Sequence, residues 1–303
     1  MSAPSIPVIR QTAGAGAARS AARRRGGVGS ERRPRWLTYV LLSLAIVISA
    51  YPLYFAVQLA SSTSAEIAQN PIPRLLPDGE LITNLKRVLE ADIDLWQAIL
   101  NSIIVSTATA VSVVMFATLA GYSFAKLRFR GRRPLLVFVI ATMAVPTQLG
   151  VVPLFIVMRE LDLVGSLWAV ILPGMVTAFG VFWMTQYLDS ALPYELIEAA
   201  RVDGASMIRT FWNVALPAAR PAAAMLGLFT FIASWTNFFW PSIVLGTKNP
   251  TLPVALQLLQ AGFFKDIALI MAGVVISVIP LIALFVVAGR QLVAGIMQGA
   301  VKG

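Results

Sequence analysis

Apolar residues recur along this chain in blocks too long for the core of a soluble domain. Trp36 to Ala60 runs for 25 residues without a charge, and further uncharged, mainly apolar blocks occupy 97–125, 134–158, 163–188, 222–247 and 267–289. About 20 such residues cross the ~30 Å hydrocarbon layer of a bilayer as a helix. The pattern therefore predicts an all-α membrane protein with six transmembrane helices. Two blocks are interrupted, the third at Val145-Pro146 and Pro153 and the fourth at Pro173-Gly174. Such breaks are tolerated in a membrane where protein or a water-filled cavity meets the freed backbone groups. The second block carries Asn101, Ser102, Ser106, Thr107, Thr109 and Ser112, small polar residues that suit helix-helix packing or a wet face.

The polar stretches set the topology. Residues 1–35, rich in Ala, Gly, Ser and Arg, contain no apolar run that could build a core and read as a disordered tail ahead of a transmembrane domain over 36–303. Ser61 to Trp96 holds six acids and three basic residues, and is read as an extracytoplasmic connection in which Pro71, Pro73 and Pro77 break up any early helix. Lys126 to Arg133 places five basic residues in eight positions. Between the fourth and fifth blocks, over 190–221, lies a polar island. Pro193 suits a first helical turn, Glu195 complements the helix dipole, and Gly204 can stop the helix in the left-handed region. A second short helix is expected over 205–215, ended by Pro217 and Pro221. With six spans both termini share one side. Eighteen of the 24 basic residues then fall on that side and six on the other, which puts the termini and the helix pair in the cytoplasm.

Composition narrows the function. The chain is 58% hydrophobic and 13% charged with a mean hydropathy of +0.78, far from the roughly 25% charged residues of soluble domains. Its net charge of +10 sits in the tail and beside the spans, so topology accounts for it and no nucleic acid is needed. Without cysteine or histidine there is no disulfide, thiol nucleophile, Cys/His metal site or imidazole base. The sequence offers no catalytic residue, so the chain does not read as an enzyme. No ionisable residue lies inside a span, which argues against proton or ion coupling. A facilitator or secondary transporter of a neutral solute is the alternative, and it has no use for a cytoplasmic helix pair.

Glu198-Ala199-Ala200, Gly204 and Val214-Ala215-Leu216-Pro217 follow one another at a spacing that helical periodicity does not require. They closely resemble the EAA loop of ABC-importer permeases, with Val214 where isoleucine is commoner. Asn101-Ser102, Tyr122 to Ala125 with Arg128-Phe129 and Gly131-Arg132, Val145-Pro146, Phe229 to Trp240 and the closing Gly299 to Gly303 extend the likeness to the MalG-type permease subunit of carbohydrate ABC importers. That resemblance implies a multi-pass protein of a prokaryotic inner (plasma) membrane, in contact with membrane lipid. Its partners would be a second, MalF-type permease, two ATP-binding subunits and an extracytoplasmic sugar-binding protein. ATP and Mg would be bound by the ATPase subunits, with no cofactor in this chain, in keeping with the absence of a G-x-x-x-x-G-K-[ST] loop. In the family the short helix of the EAA loop inserts into a cleft of the ATPase. Carried over, coupling falls to Glu198, Ala199, Ala200, Asp203, Gly204, Met207 and Ile208, with Leu216 and Pro217 completing the motif.

A sugar path needs aromatic faces and neutral hydrogen-bonding groups, which Trp235, Asn237, Phe238 and Trp240 in the fifth span and Gln148 in the third would supply. The competing role for these side chains is packing. A di- or oligosaccharide such as a cello- or malto-oligosaccharide is the expected cargo. Monosaccharides, polyols and glycerol phosphate stay open.

Overall fold

The structure is a computed structural model that describes residues 36–70, 76–77, 79–260 and 265–300; the Arg-rich tail and the last three residues lie outside the described residues. The chain divides into two compact units, 1–52 and 53–303. The described part of the first is the opening of α1 (Trp36–Ala60), a helix that contains Pro52 and no charged residue.

The regular elements of the second unit are all helices among its described residues. After the last turns of α1 come α2 (Ser64–Gln69), α3 (Leu81–Glu90), α4 (Leu95–Lys126), α5 (Arg132–Thr142), a 3-10 turn (Thr147–Gly150), α6 (Val151–Glu160), α7 (Trp168–Gly174) and α8 (Ala178–Ala191). Then follow α9 (Tyr194–Val202), α10 (Met207–Thr210), a π turn (Phe211–Ala215), α11 (Leu216–Trp235), α12 (Phe239–Val244), α13 (Leu252–Leu258) and α14 (Ile267–Ala300). Five stretches are long and apolar enough to cross a membrane: 36–60, 95–126, 168–191, 207–235 and 267–287. A sixth exists if α5 and the turn with α6 are one span bent by 89°.

The core is built on α4, which packs against α8 and α11. Small residues permit the approach: a Cβ on Gly121 would lie 2.7 Å from the backbone carbon of Met184. Val113, Ala117, Met184, Leu188 and Leu226 fill the space around that crossing. A second cluster joins Val88, Ile93 and Leu95 to Trp235, Leu252 and Ala272.

The connection expected to be an irregular loop contains two helices. A capping box between Thr63 and Glu66 starts α2, and the Asn84 amide of α3 donates to the carbonyls of Ala60 and Ser62. Arg87 reaches Asp266 ahead of α14 at 2.6 Å. Partial burial pushes the Asp266 carboxyl up, but hydrogen bonds from Ser64 Oγ, the Leu269 N–H and Arg87, with the charge of Arg87, together outweigh it and hold the carboxyl below the ordinary carboxylate range.

The interruptions expected at Val145-Pro146 and Pro173-Gly174 are present, whereas Pro153 lies within α6 and breaks nothing, and the fifth span has other bounds than expected. The third bends at Met143–Pro146, where Pro146 has no N–H to continue the ladder and biases Val145 away from the helical region. The fourth breaks between Gly174 and Ala178, with the Thr177 hydroxyl accepting from the Gly180 N–H to start α8. The fifth begins earlier and ends at Trp235, so 236–247 form a turn and the separate α12. Pro217 and Pro221 do not end the short helix, contrary to expectation; they sit in the first turns of α11. The π turn explains how. The Leu216 N–H donates to Phe211 O, five residues back, so the wider turn makes room at the point where Pro217 lacks a donor.

Candidate functional site

The polar island folds into a joint hung from the end of the core. Leu188 and Leu192 are fully buried at the base of α8, and Pro193, with φ of −57°, opens α9. Ile197 faces inward with no exposed surface and packs in the same cluster as Phe211 and Ala215. Glu198 and Ala199 are exposed and Ala200 is half-buried. A Schellman motif closes the helix. The Ala205 N–H donates to Ala200 O at 2.9 Å and the Gly204 N–H to Arg201 O at 3.0 Å, with Gly204 at φ +74°. Nothing lies within 4 Å of where a Gly204 Cβ would stand, so the glycine answers to backbone conformation rather than to crowding within this chain.

Ser206 then caps α10, its hydroxyl accepting from the Arg209 N–H at 3.2 Å. At this outer end Asp203 is exposed, and so are three apolar side chains, Val202 at 87%, Ile208 at 73% and Met207 at 61%. Sequence reasoning missed Val202 because the family motif does not include it, although its place beside the glycine turn marks it. Leu216 and Pro217 lie elsewhere, half-buried at the start of α11, where they join the joint to the fifth span.

Contacts with the end of α4 fix the joint. The Arg128 guanidinium lies 5.5 Å from the Tyr194 ring centre, and Tyr122 packs on Phe211 with centroids 5.9 Å apart. Buried Lys126 donates to the Asp189 carbonyl at 3.0 Å, tying α4 to the last turn of α8. From α10 through the π turn to Trp235 the chain is continuously helical, which makes a 29-residue lever of the outer helix and the fifth span.

The residues expected to line a substrate path separate into two groups. Trp235 is buried, stacked on Phe231 at 5.9 Å, and its indole N–H donates to Ser277 O at 3.1 Å. Trp240 donates to Ala169 O at 2.9 Å, Asn237 is half-buried in the turn after α11, and Gln148 is exposed in the bend of the third span. Only Trp235 and Phe238 meet, along a groove of about 520 Å³ between α11, α13 and α14. Thr236, Gln257 and Gln260 share it, both glutamines exposed. The two amides stand three residues apart in and just after a seven-residue helix, a spacing with no family signal to mark it. Among the described residues no group of three His, Cys, Asp or Glu could hold a metal ion.

Residues 114–294 match the family described as the binding-protein-dependent transport system inner membrane component. The chain belongs to this family. Curated relatives of the permease include the arabinooligosaccharides transport system permease protein AraQ of Halalkalibacterium halodurans, 30% identical over 88% of this chain and 96% of that protein. Others are the lactose transport system permease protein LacG of Rhizobium radiobacter, 27% identical over 89% and 97%, and the diacetylchitobiose uptake system permease protein NgcG of Streptomyces coelicolor, 28% identical over 92% of each. A solved structure of a bacterial ABC transporter involved in the import of the acidic polysaccharide alginate superposes with a TM-score of 0.69 at 26% identity, covering 84% of this permease and 94% of that chain. The matched region takes in the joint, the lever and the groove.

Proposed function

We propose that this permease is the MalG-type subunit of an ATP-driven importer of di- or oligosaccharides in a prokaryotic inner membrane. Both termini and the α9–α10 joint face the cytoplasm. A second, MalF-type permease completes the path, an extracytoplasmic binding protein delivers the sugar, and two ATP-binding subunits hold ATP and Mg. The observation that carries the reading is the exposed outer end of the joint, continuous with the fifth span. Val202, Met207 and Ile208 leave apolar surface unpaired beside Glu198, Ala199 and Asp203, as a docking surface does. Burying one of the larger side chains in a partner contributes about 1.5 to 3 kcal/mol, and a lever held there moves when the ATPases close. The sugar class rests on the relatives, three of which are named for oligosaccharide, lactose and diacetylchitobiose uptake. Trp235 and Phe238, with Thr236, Gln257 and Gln260, offer the aromatic and neutral polar groups that a sugar face needs.

The test is Gly204→Val in the complete transporter. Valine at φ +74° is strained by about 1 to 2 kcal/mol, and the added side chain stands where the partner must approach. Expected are normal membrane levels, normal ligand affinity of the binding protein, weakened retention of the ATPase subunit and strongly reduced uptake. Wild-type uptake with wild-type ATPase retention would show that the joint is only a connection.

A further inference from the structure

Beside the joint, two features lie at the end of α4. The first is a pocket of about 360 Å³ lined by Arg128, Phe129, Gly131, Arg132, Arg133 and Pro134. Gly131, at φ +81°, turns the chain back so that arginines on both sides of it face one space. None of the three arginines is paired with a carboxylate among the described residues: Arg128 lies over the Tyr194 ring and Arg132 donates to the carbonyl of Ala125. The pocket therefore carries uncompensated positive charge. The second feature is a groove of about 340 Å³ running along the last turns of α4, where Phe116, Leu119 and Leu127 face Met207, Ile208 and Trp212. Leu127 in the groove and Arg128 in the pocket are neighbours in the chain.

We propose that the pocket and groove together form a binding site for an anionic phospholipid, the phosphate among the arginines and an acyl chain in the groove. The charge decides the occupant. A zwitterionic lipid gains little from three unpaired guanidinium groups, whereas a headgroup phosphate with net negative charge is held by charge-assisted, bidentate contacts. The location fits as well. α4 has 32 residues, about 48 Å at 1.5 Å per residue, more than a ~30 Å hydrocarbon layer needs, and the basic residues that follow it favour leaving its last turns at the interface. Exposed Trp212 is a residue type that settles at that depth. Because the groove takes in Met207 and Ile208, which the proposed function also gives to ATPase docking, as well as Trp212, the lipid braces α10 against α4 behind the docking end.

The full chain is purified and titrated with dioleoylphosphatidylglycerol, with dioleoylphosphatidylcholine and with inorganic phosphate, and bound species are counted by native mass spectrometry. Phosphatidylglycerol is expected to bind in preference to phosphatidylcholine, and millimolar phosphate is not expected to displace it. At roughly fivefold per interfacial basic residue, Arg132→Gln with Arg133→Gln should lower that preference about 25-fold. Arg133→Lys should keep most of it, and Arg159→Gln at the far end of α6 should leave it unchanged. A phosphatidylglycerol with a photoreactive acyl chain should label residues between Met115 and Leu127, or Ile208 and Trp212. Equal binding of the two lipids, full displacement by phosphate, or labelling confined to other segments would overturn the proposal. So would a double variant that keeps its lipid preference, including one that loses only the ATPase subunit, because the arginines would then serve a protein partner.

Discussion

Gly204 and Asp266 show two ways in which single residues control this molecule. At Gly204 the constraint is conformational, since φ is +74° and a Cβ would meet nothing within 4 Å. Asparagine tolerates the left-handed region better than other side chains. Gly204→Asn should therefore retain clearly more uptake and ATPase than Gly204→Val, and equal losses would point to crowding against the partner as the sole cause. At Asp266 the constraint is electrostatic. The folded carboxyl is held below its ordinary range by Ser64, Leu269 and Arg87. A depressed folded pKa contributes stability that is present above the unfolded value, near 3.9, and lost as pH falls through the folded value. Thermal unfolding in detergent should show a drop in midpoint below about pH 4 that Asp266→Asn largely removes, with the variant already lower at neutral pH. A variant that keeps the full acid drop would assign it to other carboxylates. The turn at Gly204 is legible in the sequence because only local backbone geometry is at stake. The Asp266 clasp is not, because Ser64 and Asp266 are 202 residues apart and polar loop residues carry no periodicity to pair them.

At the scale of elements, helix contact depends on small residues at crossings. A Cβ on Gly121 would sit 2.7 Å from the Met184 backbone, and neither helix can yield without moving the core cluster around it. Gly121→Leu should cost about 1 to 3 kcal/mol or more through overpacking, seen as a lower unfolding midpoint and reduced membrane levels. Gly131→Leu at the exposed turn would act through local strain alone. Equal membrane levels for wild type and Gly121→Leu would mean that α4 and α8 can separate cheaply. Apolar length makes α1, α4 and α14 readable in the sequence, since each is one unbroken block. Prolines are harder to read. Pro146 breaks its span, whereas Pro217 and Pro221 lie within helix, because the π turn before Pro217 removes the need for its missing donor. That turn depends on hydrogen-bond partners chosen in three dimensions, which sequence composition does not show. The helices α2 and α3 escape notice for a related reason: they are short segments in a polar connection, held by a capping box, Asn84 and Arg87 rather than by apolar length.

For the molecule as a whole, sidedness ties the joint, the lever and the arginine pocket into one mechanism. The positive-inside rule orients the chain by its basic residues, eighteen against six, and the fold puts the joint and the Arg128–Arg133 turn at one end of the core, linked through Tyr194 and Phe211. On this reading the purified chain alone should show no ATP hydrolysis, since it has no phosphate-binding loop; activity that survives removal of every other subunit would defeat it. Orientation can be tested directly because the chain contains no cysteine, so each introduced thiol reports one place. Thr83 in α3, Gly131 in the arginine turn and Ser206 at the cap of α10 are all exposed. In intact cells an impermeant maleimide should modify Thr83→Cys at once, while Gly131→Cys and Ser206→Cys should react only after the membrane is opened. Thr83 and Ser206 lie on opposite sides only if an odd number of crossings separates them, so the experiment also counts the bent third segment. If α5 and α6 form one span, α4, that segment and the α7–α8 pair make three crossings. If they form a re-entrant pair that returns to the side it left, the number falls to two and Ser206 becomes accessible together with Thr83. Labelling of Thr83 and Ser206 alike, with Gly131 protected, would therefore show a re-entrant third segment and remove the joint from the cytoplasm. Reversal of all three would invert the orientation on which ATPase coupling depends.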